Sequence, residues 1–322
     1  MEVKVLKTAE KPLVSIICTS FNHEEFIVEA LRSIQEQTYV PIEVILIDNG
    51  SKDRSQKLLQ DWQKNASRNL EVKSIIRSQT INYCKSFNEG FNLCNGKYFL
   101  DFSTDDFLLP EHVSNCVEKL EANPTSSAVF SDAYIISQNK KKSFYARSRQ
   151  GDLKIPVAEG WVYEKVVASH HILSSTMMMR SAYFEDLGRY DESLAYEDFD
   201  IIVRMARKYP LVFSNHLGVK KNEHPASFSR EQYRAKTSRM LPSTLMVCQK
   251  IFEMNKSASE NKALMKRVFY EWRQALISSN FKVAFGFLEL SGKLSAKGGL
   301  HLLYSYWTKS QLDLSMFFPS RK

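Results

Sequence analysis

Over the first 135 residues, short apolar runs alternate with stretches of helical period, and this alternation restricts the fold more than any other feature. Val14–Cys18, Ile42–Ile47, Val72–Ile76, Tyr98–Phe102 and Ala128–Phe130 are apolar and short enough for buried strands. Between them, Ile27, Leu31 and Ile34 share one helical face, as do Leu58, Leu59 and Trp62, then Cys84, Phe87, Phe91 and Cys94, and finally Val113, Val117 and Leu120. Asn22 is expected to cap the first of these helices, with Glu25 as its capping-box partner. Strands alternating with helices at this spacing predict an α/β fold with a doubly wound, mostly parallel sheet. Such sheets bind ligands at the carboxyl ends of their strands, so the polar residues there are the candidates for function.

Farther along, Gln138–Gln150 is polar and basic and reads as a loop, Thr176–Met179 as a strand and Asp198–Lys208 as a helix. After about residue 235 strand signals stop, and Leu264, Val268, Trp272 and Leu276 recur with helical spacing. The expected division is a sheet-bearing domain over 1–234, which holds the strand-end candidates for function, and a helical extension over 235–322, available for ligand, membrane or dimer contacts. The N-terminus lacks an apolar signal core, and no run approaches the ~18 apolar residues of a bilayer span. The five cysteines include no Cys-x-x-Cys pair and read as reduced core thiols of a cytoplasmic protein. A net charge of +8 favours anionic partners, but the basic residues are dispersed, which argues against nucleic acid. Cys/His zinc spacing, a Gly-rich phosphate loop and a serine nucleophile elbow are absent.

Three acidic clusters fall at predicted strand ends or helix starts. Asp48-Asn49-Gly50-Ser51-Lys52-Asp53 follows a strand; Asp and Asn accept from a pyrimidine N3–H, although the same residues also make a plain turn with an N-cap. Ser103-Thr104-Asp105-Asp106 follows another strand. Adjacent carboxylates repel unless a cation or donor compensates, and hard oxygen ligands suit Mg²⁺ or Mn²⁺ shared with substrate phosphates. Glu197, Asp198 and Asp200 open a helix, where a carboxylate is placed to take a proton from an attacking hydroxyl. His224 stands in the irregular stretch Asn222-Glu223-His224-Pro225.

In order, these pieces resemble the family 2 inverting glycosyltransferases, whose Rossmann-like fold is called GT-A. The matching blocks are Val14 through Asn22, Ser33 through Thr38, Ile47 through Asp53, Asn88-Glu89-Gly90 with Gly96-Lys97-Tyr98, Thr104-Asp105-Asp106 with Pro110, and Gly188 through Glu192 leading to Glu197-Asp198-Phe199-Asp200. The resemblance implies nucleotide-pocket roles for Thr19, Phe21 and Asn22, and base contact by Asp48 or Asn49. It implies a ribose and metal-side acid at Asp105, a direct metal ligand at Asp106, a catalytic base at Asp198 beside Glu197, and a metal- or diphosphate-side histidine at His224. Asn49 stands where many uridine-nucleotide users have a second Asp, which leaves uracil, thymine or another base open. Ser103 replaces an acid often found before the metal motif.

The expected activity is transfer of a sugar from a nucleotide-diphosphate sugar, UDP-linked or else dTDP-linked, to a hydroxyl of a glycan or lipid-linked oligosaccharide. Bacterial surface-polysaccharide synthesis is the expected setting, with Mn²⁺ or Mg²⁺ as cofactor. The basic, amphipathic C-terminal region suits peripheral contact with an anionic membrane on the inner face of the plasma membrane, or else homodimerisation. The rivals are a sugar nucleotidyltransferase and a non-catalytic basic scaffold protein.

Overall fold

The computed structural model describes residues 10–66, 70–137, 140–169, 171–225 and 227–317. β1 (Val14–Ser20), β2 (Ile42–Asp48), β3 (Glu71–Ile76) and β4 (Tyr98–Ser103) form one parallel unit, with α1 (Ile27–Gln35), α2 (Ser55–Asn65) and α3 (Tyr83–Phe91) as crossovers. All seven residues of β1 and of β2 are buried, as expected of central parallel strands covered on both faces. The chain continues through β5 (Phe107–Leu108), α4 (His112–Glu121), β6 (Ala128–Ser137), β7 (Lys140–Ser143), α5 (Tyr163–Ala168), β8 (Met178–Arg180), α6 (Ser181–Asp186), α7 (Asp198–Lys208) and β9 (Leu211–Asn222). The sheet order is β3-β2-β1-β4-β8-β6-β9-β5, with β7 on β6. β8 runs antiparallel between β4 and β6, so β6 and β9 again point the same way as β1 to β4. The carboxyl ends of β1, β2, β4 and β9 therefore open towards one edge.

Several local expectations change. α1 starts at Ile27 with Phe26 as its N-cap, and no side chain caps it. Asn22 is instead in the left-handed region at φ 55°. Its Oδ1 accepts from Lys52 N at 2.8 Å and its backbone N–H donates to Ser51 Oγ at 2.9 Å, so it joins the β1 and β2 loops. The expected strand at Ala128 continues to Ser137. Part of the expected loop, Lys140–Ser143, pairs antiparallel with it; Gln138 and Asn139 lie outside the described residues. The strand expected at Thr176–Met179 is a 3₁₀ turn over Ser174–Thr176 followed by β8. β9, twelve residues long, escaped the sequence reading because Ser214, Asn215 and His216 interrupt its apolar pattern.

Beyond β9 only helices follow among the described residues: α8 (Leu241–Met254), α9 (Ala258–Ile277), α10 (Phe281–Lys293), α11 (Gly299–Ser310) and short 3₁₀ turns. They do not stand apart. Val247, Trp272, Phe287 and Tyr304 belong to the same continuous apolar core as Phe87, Phe99, Phe130 and Phe199. Trp272 is wholly buried and donates from Nε1 to Thr308 Oγ1 at 2.9 Å. No described helix is long and apolar enough to cross a membrane.

Candidate active site

The strand register sets the site. Ser20 at the end of β1 pairs with Asp48 at the end of β2, and Thr19 pairs with Ser103 at the end of β4. Thr104 Oγ1 then donates to the Thr19 carbonyl at 3.2 Å, which locks the acidic loop onto β1.

Asp48 is fully buried. Its Oδ1 accepts from Gly50 N, Ser51 N and Gln56 Nε2 at 2.8–3.1 Å, and its Oδ2 from Ser51 Oγ at 2.5 Å. Both oxygens thus shape the turn and anchor the start of α2. Gly50 has φ +87°, and a Cβ there would lie 2.5 Å from backbone atoms of Gln79 and Thr80, so only glycine fits. Asn49 pairs its carboxamide with the backbone of Ile81, donating at 2.9 Å and accepting at 3.2 Å. Phe21 is 45% exposed, two residues after Thr19, whose Oγ1 lies 3.5 Å from Tyr83 Oη.

The two carboxylates of the acidic loop separate. Asp105 Oδ1 accepts from Ser103 Oγ at 2.5 Å, while Oδ2 lies 3.1 Å from His224 Nε2 and 3.9 Å from His23 Nε2. Burial raises Asp105, but His23, the Ser103 hydroxyl and Lys221 outweigh it and hold the carboxyl below its ordinary value. Asp106 is 1% exposed and faces inward: Oδ1 accepts from Asn222 N at 2.9 Å, and Oδ2 lies 3.3 Å from Lys221 Nζ. Burial, reinforced by Asp105, pushes Asp106 up to about 6. The expected direct metal ligand, Asp106, therefore has both oxygens engaged by the protein. Asp105 and His224 together present the carboxylate-and-imidazole pair. An oxygen and an imidazole nitrogen form a donor set that fits Mn²⁺ or Mg²⁺, with substrate phosphates and water completing the shell.

Glu197 is the N-cap position of α7 and Asp198 its first residue. Burial raises Glu197 well above the ordinary carboxyl range, and the neighbouring charges of Asp198 and Asp101 add to this. Asp200, the third acid, turns away into the protein, bound by Arg204 at 2.6 Å and Lys250 at 2.8 Å. Burial opposes charge on Lys221, but Asp106, Asp105 and Asp198 all favour it and raise the group, so this ammonium acts on both acid pairs.

The sequence reading missed four contributors. Lys221 sits on the overlooked β9, and His23 gave no local signal. Asp101, on β4, accepts from Tyr83 Oη at 2.7 Å and Tyr190 Oη at 2.9 Å. Burial raises it to about 6. Tyr83 thereby bridges Thr19 and Asp101.

The family model for Glycosyl transferase family 2 matches residues 15–187, just over half of the chain. The chain belongs to this family. It is 30% identical over 176 residues to an uncharacterized glycosyltransferase of Haemophilus influenzae, a stretch covering 54% of each protein. It is 25% identical over 222 residues to an uncharacterized glycosyltransferase of Rickettsia prowazekii, covering 67% of this chain and 65% of that one. The chain thus spans about half to two thirds of the length of these relatives. Among solved structures, residues 1–349 of S. aureus TarS in complex with UDP-GlcNAc align with a TM-score of 0.70 at 14% identity, covering 92% of this chain and 87% of that one. A Pyrobaculum calidifontis mannosyltransferase in complex with GDP-Man and Mn²⁺ aligns with a TM-score of 0.62 at 15% identity, covering 94% and 85%. These likenesses show the shared GT-A-type fold, including the helical C-terminal region. Of the six sequence blocks, the matched residues contain the first five apart from Val14, and the sixth begins at Gly188, just beyond the match.

Proposed function

We propose that this family 2 member is an inverting glycosyltransferase that uses a nucleotide-diphosphate sugar, UDP-linked in the favoured reading and dTDP-linked in the next. The observation that carries the reading is the Lys221 ammonium, 3.3 Å from Asp106 Oδ2 and electrostatically coupled also to Asp105, Glu197 and Asp198, so that two acid pairs share one cation. One pair is suited to the diphosphate end of a donor and the other to an acceptor hydroxyl. The relatives' bound UDP-GlcNAc, and GDP-Man with Mn²⁺, support a nucleotide-sugar donor and a divalent cation for this chain also.

In this reading the base and ribose lie over Thr19 and Phe21, above the turn that Asp48 and Asn49 hold in shape. Asp105 and His224 would hold the cation, and Asp106 keeps Lys221 and the end of β9 in place behind them. The bound Mn²⁺ or Mg²⁺ supplies Lewis-acid neutralisation of charge on the departing diphosphate. The Lys221 ammonium adds fixed positive charge beneath the same region. Burial and the charges of Asp198 and Asp101 raise the Glu197 carboxyl, and Asp198, the first residue of α7, is assigned as the base. Asp198 takes the proton of the acceptor hydroxyl; the hydroxyl oxygen attacks the anomeric carbon opposite the diphosphate, and the sugar–diphosphate C–O bond breaks with its electron pair leaving on the nucleotide.

The acceptor is a hydroxyl of a glycan or lipid-linked oligosaccharide in cell-surface polysaccharide synthesis, with the protein cytoplasmic and peripheral to the membrane's inner face. Leu300, Leu302, Leu303 and Tyr306 of α11 are exposed apolar residues beside a basic chain, which supports membrane contact, with a homodimer as the other use of this face. Titration calorimetry with UDP-GlcNAc, UDP-glucose, dTDP-glucose and GDP-mannose, each with and without Mn²⁺, tests the donor half of the proposal. Metal-dependent binding of a nucleotide-sugar is expected; binding of none of them overturns it. Co-sedimentation of Leu302→Glu/Tyr306→Glu with anionic liposomes tests the membrane half. Retained binding equal to the unaltered protein overturns that role.

A further inference from the structure

A second cluster with metal-ligand chemistry lies where α4 packs on β9. His112 and Cys116 are one turn apart on α4, and His216 lies on β9. Their donor atoms all lie within 4.8 Å of one another, the one such group of three among the described residues. His112 Nδ1 is 3.1 Å from His216 Nε2 and 3.7 Å from Cys116 Sγ. Zn–N and Zn–S bonds of about 2.0 and 2.3 Å at tetrahedral angles set nitrogen–nitrogen and nitrogen–sulfur edges of roughly 3.3 and 3.6 Å. Two of the three donor separations thus match tetrahedral edges, and the third is within 4.8 Å.

The surroundings favour the same use. The remaining nitrogen of His216, Nδ1, lies 2.9 Å from Ser214 Oγ, the outer hydrogen bond that orients a ligating imidazole. A Cβ at Gly218 would lie 2.0 Å from His112 Nδ1 and 2.7 Å from Ser131 Oγ, so the glycine makes the room that the ring occupies. We propose that His112, Cys116 and His216 form a structural binding site for a zinc-type divalent cation, distinct from the donor-site cation. On binding, the Cys116 thiol proton passes to solvent and the thiolate becomes the third protein ligand; His216, the partly exposed member, leaves the fourth position to water.

The placement gives the site a purpose. α4 begins shortly after Asp106, and His216 precedes Lys221 and His224 on the chain. A cation joining α4 to β9 ties together the two segments that meet at Asp105, Asp106, Lys221 and His224. The sequence reading found no Cys/His zinc spacing because the third ligand is 100 residues away from the helical pair.

The test uses the full chain carrying Asp105→Asn and His224→Ala, so that the donor-site cation does not contribute. Zn²⁺ content is measured after exhaustive dialysis, and Co²⁺ is substituted for its spectrum. The expected result is one equivalent of retained metal, a thiolate-to-cobalt charge-transfer band, and a rise in Tm on adding Zn²⁺. Cys116→Ala should lose the band, and His216→Ala should weaken Zn²⁺ binding at least tenfold. His216 is partly exposed, so this variant keeps the test valid if Cys116→Ala does not fold. Absence of the band in the parent protein, or unchanged affinity in His216→Ala, shows a hydrogen-bonded core cluster only and overturns the proposal.

Discussion

Lys221 Nζ lies 3.3 Å from Asp106 Oδ2, and the same Lys221 cation is favoured by the charge on Asp198. One ammonium at the end of β9 thus serves the loop after β4 and the start of α7. Lys221→Met leaves Asp106 buried with one hydrogen-bond donor and no cation. An uncompensated buried polar group costs about 1–3 kcal/mol. Urea denaturation at pH 7 should show an unfolding free energy lower by that amount, with an earlier midpoint, and donor affinity should fall in parallel. An unchanged midpoint sinks the role given to Lys221.

Asp198→Asn removes the proposed base and leaves its hydrogen-bonding shape. A general base contributes on the order of 10²–10⁴-fold. Turnover should fall by that factor while the nucleotide-sugar dissociation constant, measured by calorimetry, stays within about twofold. Near-normal transfer in this variant contradicts the assignment. Glu197→Gln should cost far less, because the base in this assignment is Asp198.

The division between Asp105 and Asp106 is also measurable. Asp105→Asn and His224→Ala should each weaken Mn²⁺-dependent donor binding by tenfold or more with little change in Tm. Asp106→Asn should instead lower Tm, since its Oδ1 holds the Asn222 N–H and its Oδ2 holds Lys221. If Asp106→Asn abolishes Mn²⁺ dependence at unchanged Tm, Asp106 is the ligand after all.

Asp101 has a folded value of about 6, above its ordinary 3.8. Between these values the folded protein binds more protons than the unfolded chain, so this group's contribution to stability falls as pH rises from about 4 to 6. The unfolding free energy of the parent minus that of Asp101→Asn should therefore decrease over that range and level off above it. A difference independent of pH would falsify the burial account of Asp101.

Trp272 fills the centre of the shared core from α9. Trp272→Ala should cost about 3–5 kcal/mol by guanidinium denaturation. It should do so in a single transition that also unfolds the parallel sheet. Two separate transitions would mean that the C-terminal helices fold as their own unit.

The parallel sheet was legible from local pattern alone. β1, β2 and β4 are continuous apolar runs, and a strand buried on both faces can hold little else. Helices α1 to α4 showed one apolar stripe each, and α9 did so after the strand signals ended. Asp48, Asp105 and Asp106 stood out as candidates because acids directly after apolar runs fall at strand ends; Asp198 stood out at a helix start, and His224 came in through the family resemblance. Asn22 was misplaced because an Asn before a helix suits a cap and a left-handed loop residue equally well. β9 was missed because Ser214, Asn215 and His216 break its pattern, and with it went Lys221.

Alone, then, the sequence determined which residues enter strands and helices and which strand ends carry acids, since burial period and turn chemistry are local. Which carboxylate meets His224 and which meets Lys221 was decided only by the tertiary structure. So was the turning of Asp200 to Arg204 and Lys250, the sharing of Lys221 by two acid pairs, and the meeting of His216 with His112 and Cys116. Each depends on chain segments far apart in sequence meeting at one point, where desolvation and Coulomb interactions act on distance rather than on order along the chain.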